Sequence, residues 1–141
     1  MSYVASASRT IHVPAAVAFD RLADHDSWAS WMPASFRPVG RPLGRLAEGT
    51  TFRVRILGAP FASRCHVTVV RPHEEITWCG GIRGLVYAEH HFFFDAAGDG
   101  VTVRSEETWS GPVASLLRPA IQRGAARVGG ETIDGLARAV S

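Results

Sequence analysis

Lysine is missing from this chain: all fifteen basic residues are arginine, set against thirteen acidic ones for a net charge of +2. The arginines are scattered along the whole length. No basic stripe of the kind that follows a phosphate backbone results, so no nucleic-acid partner is expected. Long apolar runs are missing too, none approaching the roughly 18 residues that span a bilayer. The first thirteen residues lack the apolar segment and small-residue cleavage site of a signal peptide. These absences predict a soluble, cytoplasmic protein without integral membrane association. Cysteine is scarce. Cys65 and Cys79 have neither metal-ligand spacing nor the density of a disulfide framework, and read as small buried residues. No repeat, low-complexity segment or G-x-S-x-G nucleophile elbow occurs. With 141 residues and 46% hydrophobic composition, the expectation is one domain over residues 1–141.

The strongest pattern is Leu85 to Gly111, which reads as two long strands about a tight turn. On the first, Val86, Ala88, His90, Phe92, Phe94 and Ala96 share a face; on the second, Val101, Val103, Ser105, Glu107 and Trp109 do. A turn centred on Gly98-Asp99 sets His90 directly opposite Glu107, whereas one on Asp99-Gly100 makes them diagonal neighbours. In both registers the two point inward. Polar groups on a face meant for burial cost stability unless they satisfy each other or line a pocket. The pair is therefore either a core hydrogen bond or a functional lining.

The rest of the chain surrounds this hairpin. Val4 to Val13 reads as a strand ending at Pro14, and Ala15 to Ala23 as a helix with Val17, Phe19 and Leu22 on its stripe. A second short helix carries Trp28 and Trp31 and is stopped by Pro33, and a short strand lies near Phe36. Thr50 to Leu57 alternates Phe52, Val54 and Ile56 against Arg53 and Arg55. Phe61 to Val70 and Ile76 to Gly80 pair around Arg71 to Glu74, with a possible bulge at Val69-Val70. After Gly111-Pro112, Val113 to Val140 reads as a long helix with Leu116, Leu117, Ala120, Ile121, Gly124 and Val128 as its stripe. Pro119 kinks it or marks its true start. The economical packing is an α+β helix grip: a curved antiparallel sheet of about seven strands, two short helices, and the long helix across the concave face. A ligand would sit between that helix and the sheet. Arg53, Arg55, Glu89, His91 and Glu106 then belong to the convex face.

The element order, with Trp28-Ala-Ser-Trp31 after the first helix, resembles the START-like superfamily. Within it the chain is similar to the bacterial SRPBCC proteins of polyketide cyclase/dehydrase and lipid-transport type. Leu46 to Thr50, Pro72 to Trp78, Gly84 to His90, the Gly98-Asp99-Gly100 turn and Glu106 to Gly111 carry the resemblance further. It implies an apolar cavity for a small hydrophobic or aromatic molecule, with activities from cyclisation and dehydration to simple carriage. It also implies that Gly129-Gly130, where such proteins often have a bulky residue, leaves the cavity deeper or more open.

The candidate catalytic residues are His90 and Glu107, as an acid–base pair suited to enolisation or dehydration of a carbonyl compound. The candidate ligand-binding residues are Trp28, Trp31, Phe36, Phe52, Val54, Trp78, Val86, Phe92, Ser105, Trp109, Leu117 and Ile121. For the tryptophans, plain core packing is the alternative. No metal and no cofactor is expected, because the adjacent His90 and His91, like Cys65 and His66, point to opposite faces of a strand. Three function classes remain: a cyclase- or dehydratase-type enzyme, a carrier or sensor of a hydrophobic ligand, and a chaperone-activating-type interaction module. The last needs an exposed apolar patch, which Arg53, Arg55 and Arg104 oppose on their faces. Monomer and homodimer both stay open.

Overall fold

A computed structural model describes residues 2–141. Seven antiparallel strands form one sheet in the order β1-β7-β6-β5-β4-β3-β2. They are β1 (Ser2–Ile11), β2 (Phe36–Val39), β3 (Thr51–Ile56), β4 (Ala62–Arg71), β5 (Glu75–Ile82), β6 (Val86–Ala97) and β7 (Gly100–Ser110). Between β1 and β2 come α1 (Ala15–Ala23), a 3₁₀ turn at His25–Ser27, and α2 (Trp28–Trp31). After β7 come α3 (Pro112–Leu116) and α4 (Arg118–Ala139). This is the helix-grip architecture that the patterning predicts. No helix among the described residues is long and apolar enough to cross a membrane.

Alternation decides which side chains enter the core. Phe52 and Val54 of β3 are buried while Arg53 and Arg55 are exposed. Pro38, which cannot donate to a ladder, sits in β2 at the sheet edge. In β4 the pairing steps from Val67↔Trp78 to Val69↔Thr77, so the bulge falls at Thr68, not at Val69-Val70. That extra residue lets both Val67 and Val70 pack inward.

The core fills the space between the concave face, α1, α2 and the second half of α4. Trp28 is fully buried, edge-on to Phe52 at 5.1 Å and 5.6 Å from Trp78. Phe19 meets Phe94 at 5.5 Å. Burying each such side chain contributes about 2–3 kcal/mol. The inward face of α1 is Ala18, Phe19, Leu22 and Ala23, so Val17, expected on the stripe, lies at the surface.

The C-terminal segment departs most from its expected form. It is two helices rather than one, with Leu117 at the break and Pro119 in the first turn of α4. Leu116 is 80% and Leu117 48% exposed, so neither belongs to a buried stripe. Burial begins at Val128 and continues through Thr132, Ile133 and Leu136. Gly135 permits that seating, because a Cβ there would stand 2.6 Å from the Trp31 carbonyl oxygen. Gly129 does the same against β7, where a Cβ would come 2.7 Å from Ser105 Oγ. The Gly129-Gly130 pair thus brings α4 into contact with the sheet rather than opening a deeper cavity.

Candidate functional site

Ala97 pairs with Gly100, which leaves Gly98-Asp99 as a two-residue turn and sets His90 directly opposite Glu107. The ladder continues to β5, where Trp78 pairs with His90. Trp78, His90 and Glu107 therefore form one rung across three strands. Two residues along, Gly80, Ala88 and Trp109 form the next rung on the same face. Gly80 and Ala88 bring almost no side chain to that rung, and a cavity of about 100 Å³ opens there. Its walls are Trp78, His90, Glu107 and Trp109, with Phe36, Ile56, Ser63 and Cys65 from the neighbouring strands.

Burial governs the chemistry of this pocket. The Glu107 side chain is 12% exposed and its carboxyl is pushed up to about 8. His90 is pushed down to about 3, by burial first and by His91 second. His90 Nδ1 stands 3.8 Å from Glu107 Oε1, an ion-pair separation, yet burial opposes charge on both groups. The two face each other as a neutral acid and a neutral imidazole at pH 7. Nor is 3.8 Å a hydrogen bond. The imidazole's partner is Ser105, whose Oγ lies 2.7 Å from Nε2.

Beside them the Cys65 thiol is pushed up to about 12 by burial and by Glu107, so it stays protonated and inert. Trp109 brings a further polar group besides the Ser63 hydroxyl. Its indole N–H is buried without a hydrogen-bond partner. A protonated carboxyl and an unpartnered N–H are both donors, and both belong to residues lining a pocket that is otherwise mostly apolar.

The candidate residues divide into three groups. Phe36, Trp78, His90, Glu107 and Trp109 line the pocket together. Trp28, Trp31, Phe52, Val54, Phe92 and Ser105 are buried but do not line it. The Trp28 indole donates to the Leu22 carbonyl and that of Trp31 to Ser27 Oγ, each at 2.9 Å, so both rings are tied into the core. Val86, Leu117 and Ile121 lie outside the lining: Val86 pairs with Ile82 at the strand end, Leu117 is at the surface, and Ile121 is half-buried on the first half of α4. Ile56, Ser63, Cys65, Gly80, Gly81 and Ala88 line the pocket without having been expected. Strand parity with Trp78 and His90 would have found Gly80 and Ala88. Cys65 was hidden by the bulge in its own strand.

A larger groove of about 480 Å³ runs between residues 33–35, Leu57 and α4. Its carboxylates are already engaged, Asp134 by Arg9 at 3.0 Å and Glu131 twice. Ser35 bonds Glu131 at 2.6 Å, and Arg127 pairs with Glu131 at 3.2 Å. The smaller pocket is the candidate site because its donors are unspent.

Solved structures share this architecture at low identity. Norcoclaurine synthase from Thalictrum flavum, in complex with dopamine and hydroxybenzaldehyde, superposes with a TM-score of 0.74 at 12% identity, over 99% of this chain and 87% of that one. The di-domain ARO/CYC StfQ from the steffimycin biosynthetic pathway gives 0.75 at 14%, over 99% of this chain. This chain spans 51% of StfQ. A hypothetical protein from Helicobacter pylori gives 0.72 at 16%, over 99% and 88%. No curated protein matches by sequence. The family model for polyketide cyclase / dehydrase and lipid transport proteins, however, matches residues 3–141, so the chain belongs to that family.

Proposed function

We propose that this protein binds a small hydrophobic or aromatic molecule bearing a carbonyl or hydroxyl oxygen, and that Glu107 is the acid presented to that oxygen. The observation that carries the reading is a carboxyl pushed up to about 8 beside the unpartnered Trp109 N–H, inside a mostly apolar pocket. The buried indole N–H without an acceptor costs stability that a ligand oxygen would recover. An apolar cavity of about 150 Å³ takes benzene. At about 100 Å³ this pocket is smaller, so it suits the reacting end of a ligand whose remainder lies in the pocket mouth.

The same carboxyl suits acid catalysis, since an acid with a pKa near the working pH transfers its proton most effectively. In a cyclase- or dehydratase-type reaction Glu107 would protonate the ligand oxygen or the departing hydroxyl. His90 favours a second reading, carriage without turnover. An imidazole held near 3 and bonded to Ser105 is a weak base, so the pocket offers one matched acid and no matched base.

Acetophenone and ethylbenzene, which share a ring but not an oxygen, separate a donor site from a merely greasy one. Titration should show acetophenone bound roughly tenfold more tightly, the worth of about one hydrogen bond. Glu107→Leu should shrink the difference severalfold, and equal affinities in the parent protein would refute the reading. Dehydration of a β-hydroxy ketone, with a rate that falls as pH rises through about 8, would mark an enzyme. Binding without turnover would mark a carrier.

A further inference from the structure

The antiparallel order places three tips at one end of the sheet: the β3–β4 turn at residues 57–61, the β5–β6 turn at residues 83–85, and α3. The β5–β6 turn and α3 touch, since Val113 N donates to the Leu85 carbonyl at 3.0 Å. The pocket residues Ile56, Ser63, Gly81 and Ala88 lie at the roots of the two hairpins, so these tips surround its mouth. Large apolar side chains gather there. Phe61 is 76% exposed and Leu116 80%, and Leu57, Ile82, Leu85 and Leu117 are exposed beside them. A globular surface rarely concentrates such residues without a partner.

The charge along the segments that form these tips is of one sign, and Glu131 and Asp134, in the groove beside Leu57, are paired with Arg127 and Arg9. Residues 53–66, 76–88 and 108–126 hold six arginines and not one acidic residue. Glu89, the exposed acid next along β6, is engaged by His91 Nε2 at 3.0 Å. Arg83 lies over the Tyr87 ring at 4.7 Å and Arg118 over the Tyr3 ring at 5.0 Å. Both side chains are exposed with their guanidinium groups stacked on an aromatic face.

We propose that this end of the grip docks on an anionic lipid bilayer, seating the pocket mouth at the interface. Separate apolar tips flanked by arginine suit a fluid surface, which needs no shape match and supplies negative charge. A second copy would bring like charge against like, and a rigid partner would need a matching contour. This inference does not depend on what the pocket holds.

Co-sedimentation with vesicles tests it, using phosphatidylcholine alone and with about a quarter phosphatidylglycerol. The protein should bind the anionic vesicles, ignore the neutral ones, and release at about 0.5 M salt. Phe61→Glu and Leu116→Glu should each weaken binding at least about tenfold. Both sites are exposed, so melting curves should stay unchanged and certify the fold. No binding to anionic vesicles, equal binding to neutral ones, or variants that bind like the parent would overturn the proposal. So would equally tight binding to soluble polyglutamate, which would mark an acidic protein partner. A parent dimer that Leu116→Glu dissolves, with no vesicle binding, would mark self-association instead.

Discussion

Gly129 of α4 lies directly against Ser105 of β7, so close that a single methyl would stand 2.7 Å from the serine oxygen. That oxygen holds His90 at 2.7 Å, so the helix, the serine and the imidazole form one stack. Gly130, next in the chain, meets nothing closer than Ala7 at 3.9 Å. Alanine is worth about 1 kcal/mol over glycine within a helix, and at Gly130 that gain should appear undiminished. At Gly129 overpacking should outweigh it, for a net loss of about 1–2 kcal/mol. Thermal melts of the two variants should therefore move in opposite directions, and a stabilised Gly129→Ala would disprove the close approach.

The buried pair makes stability depend on pH in two opposed limbs. Glu107 is raised from 4.5 to about 8 on folding, so the native state holds a proton that the unfolded chain gives up. Its contribution is complete below pH 4.5 and is lost as pH rises to about 8. His90 is lowered from 6.5 to about 3, so its contribution is complete above 6.5 and is lost as pH falls toward 3. Between 4.5 and 6.5 the two slopes cancel, giving a plateau with a fall on either side. Each limb is at most about 1.4 kcal/mol per pH unit. Glu107→Gln should flatten the alkaline limb and leave the acid one. Urea melts across that range check it, and an unaltered alkaline limb would show that Glu107 is already ionised at pH 7.

Trp109 offers a cleaner separation of binding from stability. Its N–H has no partner to lose, so Trp109→Phe should leave the protein as stable as before or slightly more so. Acetophenone affinity should nevertheless drop severalfold, because one of two donors is gone. Unfolding and binding measured on the same variant decide it, and a lower melting temperature with unchanged affinity would make the indole structural.

Much of this fold was legible because period-two alternation is strong wherever a strand faces core on one side and water on the other. Phe52 and Val54 against Arg53 and Arg55 is such a pattern, and strand parity put His90 and Glu107 on one inward face while leaving open the direct opposition that the Gly98-Asp99 turn sets. Distances within that opposition were not legible. Whether His90 bonds Glu107 or Ser105 depends on a side-chain rotation that parity does not encode. The C-terminal helix misled for a different reason. Leu116, Leu117 and Ile121 look like a core stripe by spacing, but the break at Leu117 detaches the first from the helix that packs. Helical periodicity reports amphipathicity and is silent on which neighbour, if any, covers it. The pocket's polar lining was expected from His90 and Glu107, but the wall at Gly80 and Ala88 was missed because its signal is smallness, not the presence of any reactive group.

That smallness leads to a direct test of where the pocket is. Ala88 lines the cavity between Gly80 and Trp109, and a phenyl group placed there has only that space to enter. Ala88→Phe should therefore abolish acetophenone binding. Its stability cost should be modest, about 1–2 kcal/mol, since filling a void offsets part of the overpacking. Ile121→Trp, on the half-buried first part of α4 away from the lining, should bind acetophenone as the parent does. Titrating both variants distinguishes a pocket walled by the β5–β7 rungs from one roofed by the helix. If Ile121→Trp blocks the ligand and Ala88→Phe admits it, the site lies under α4, and the roles given to Glu107 and Trp109 fall with it.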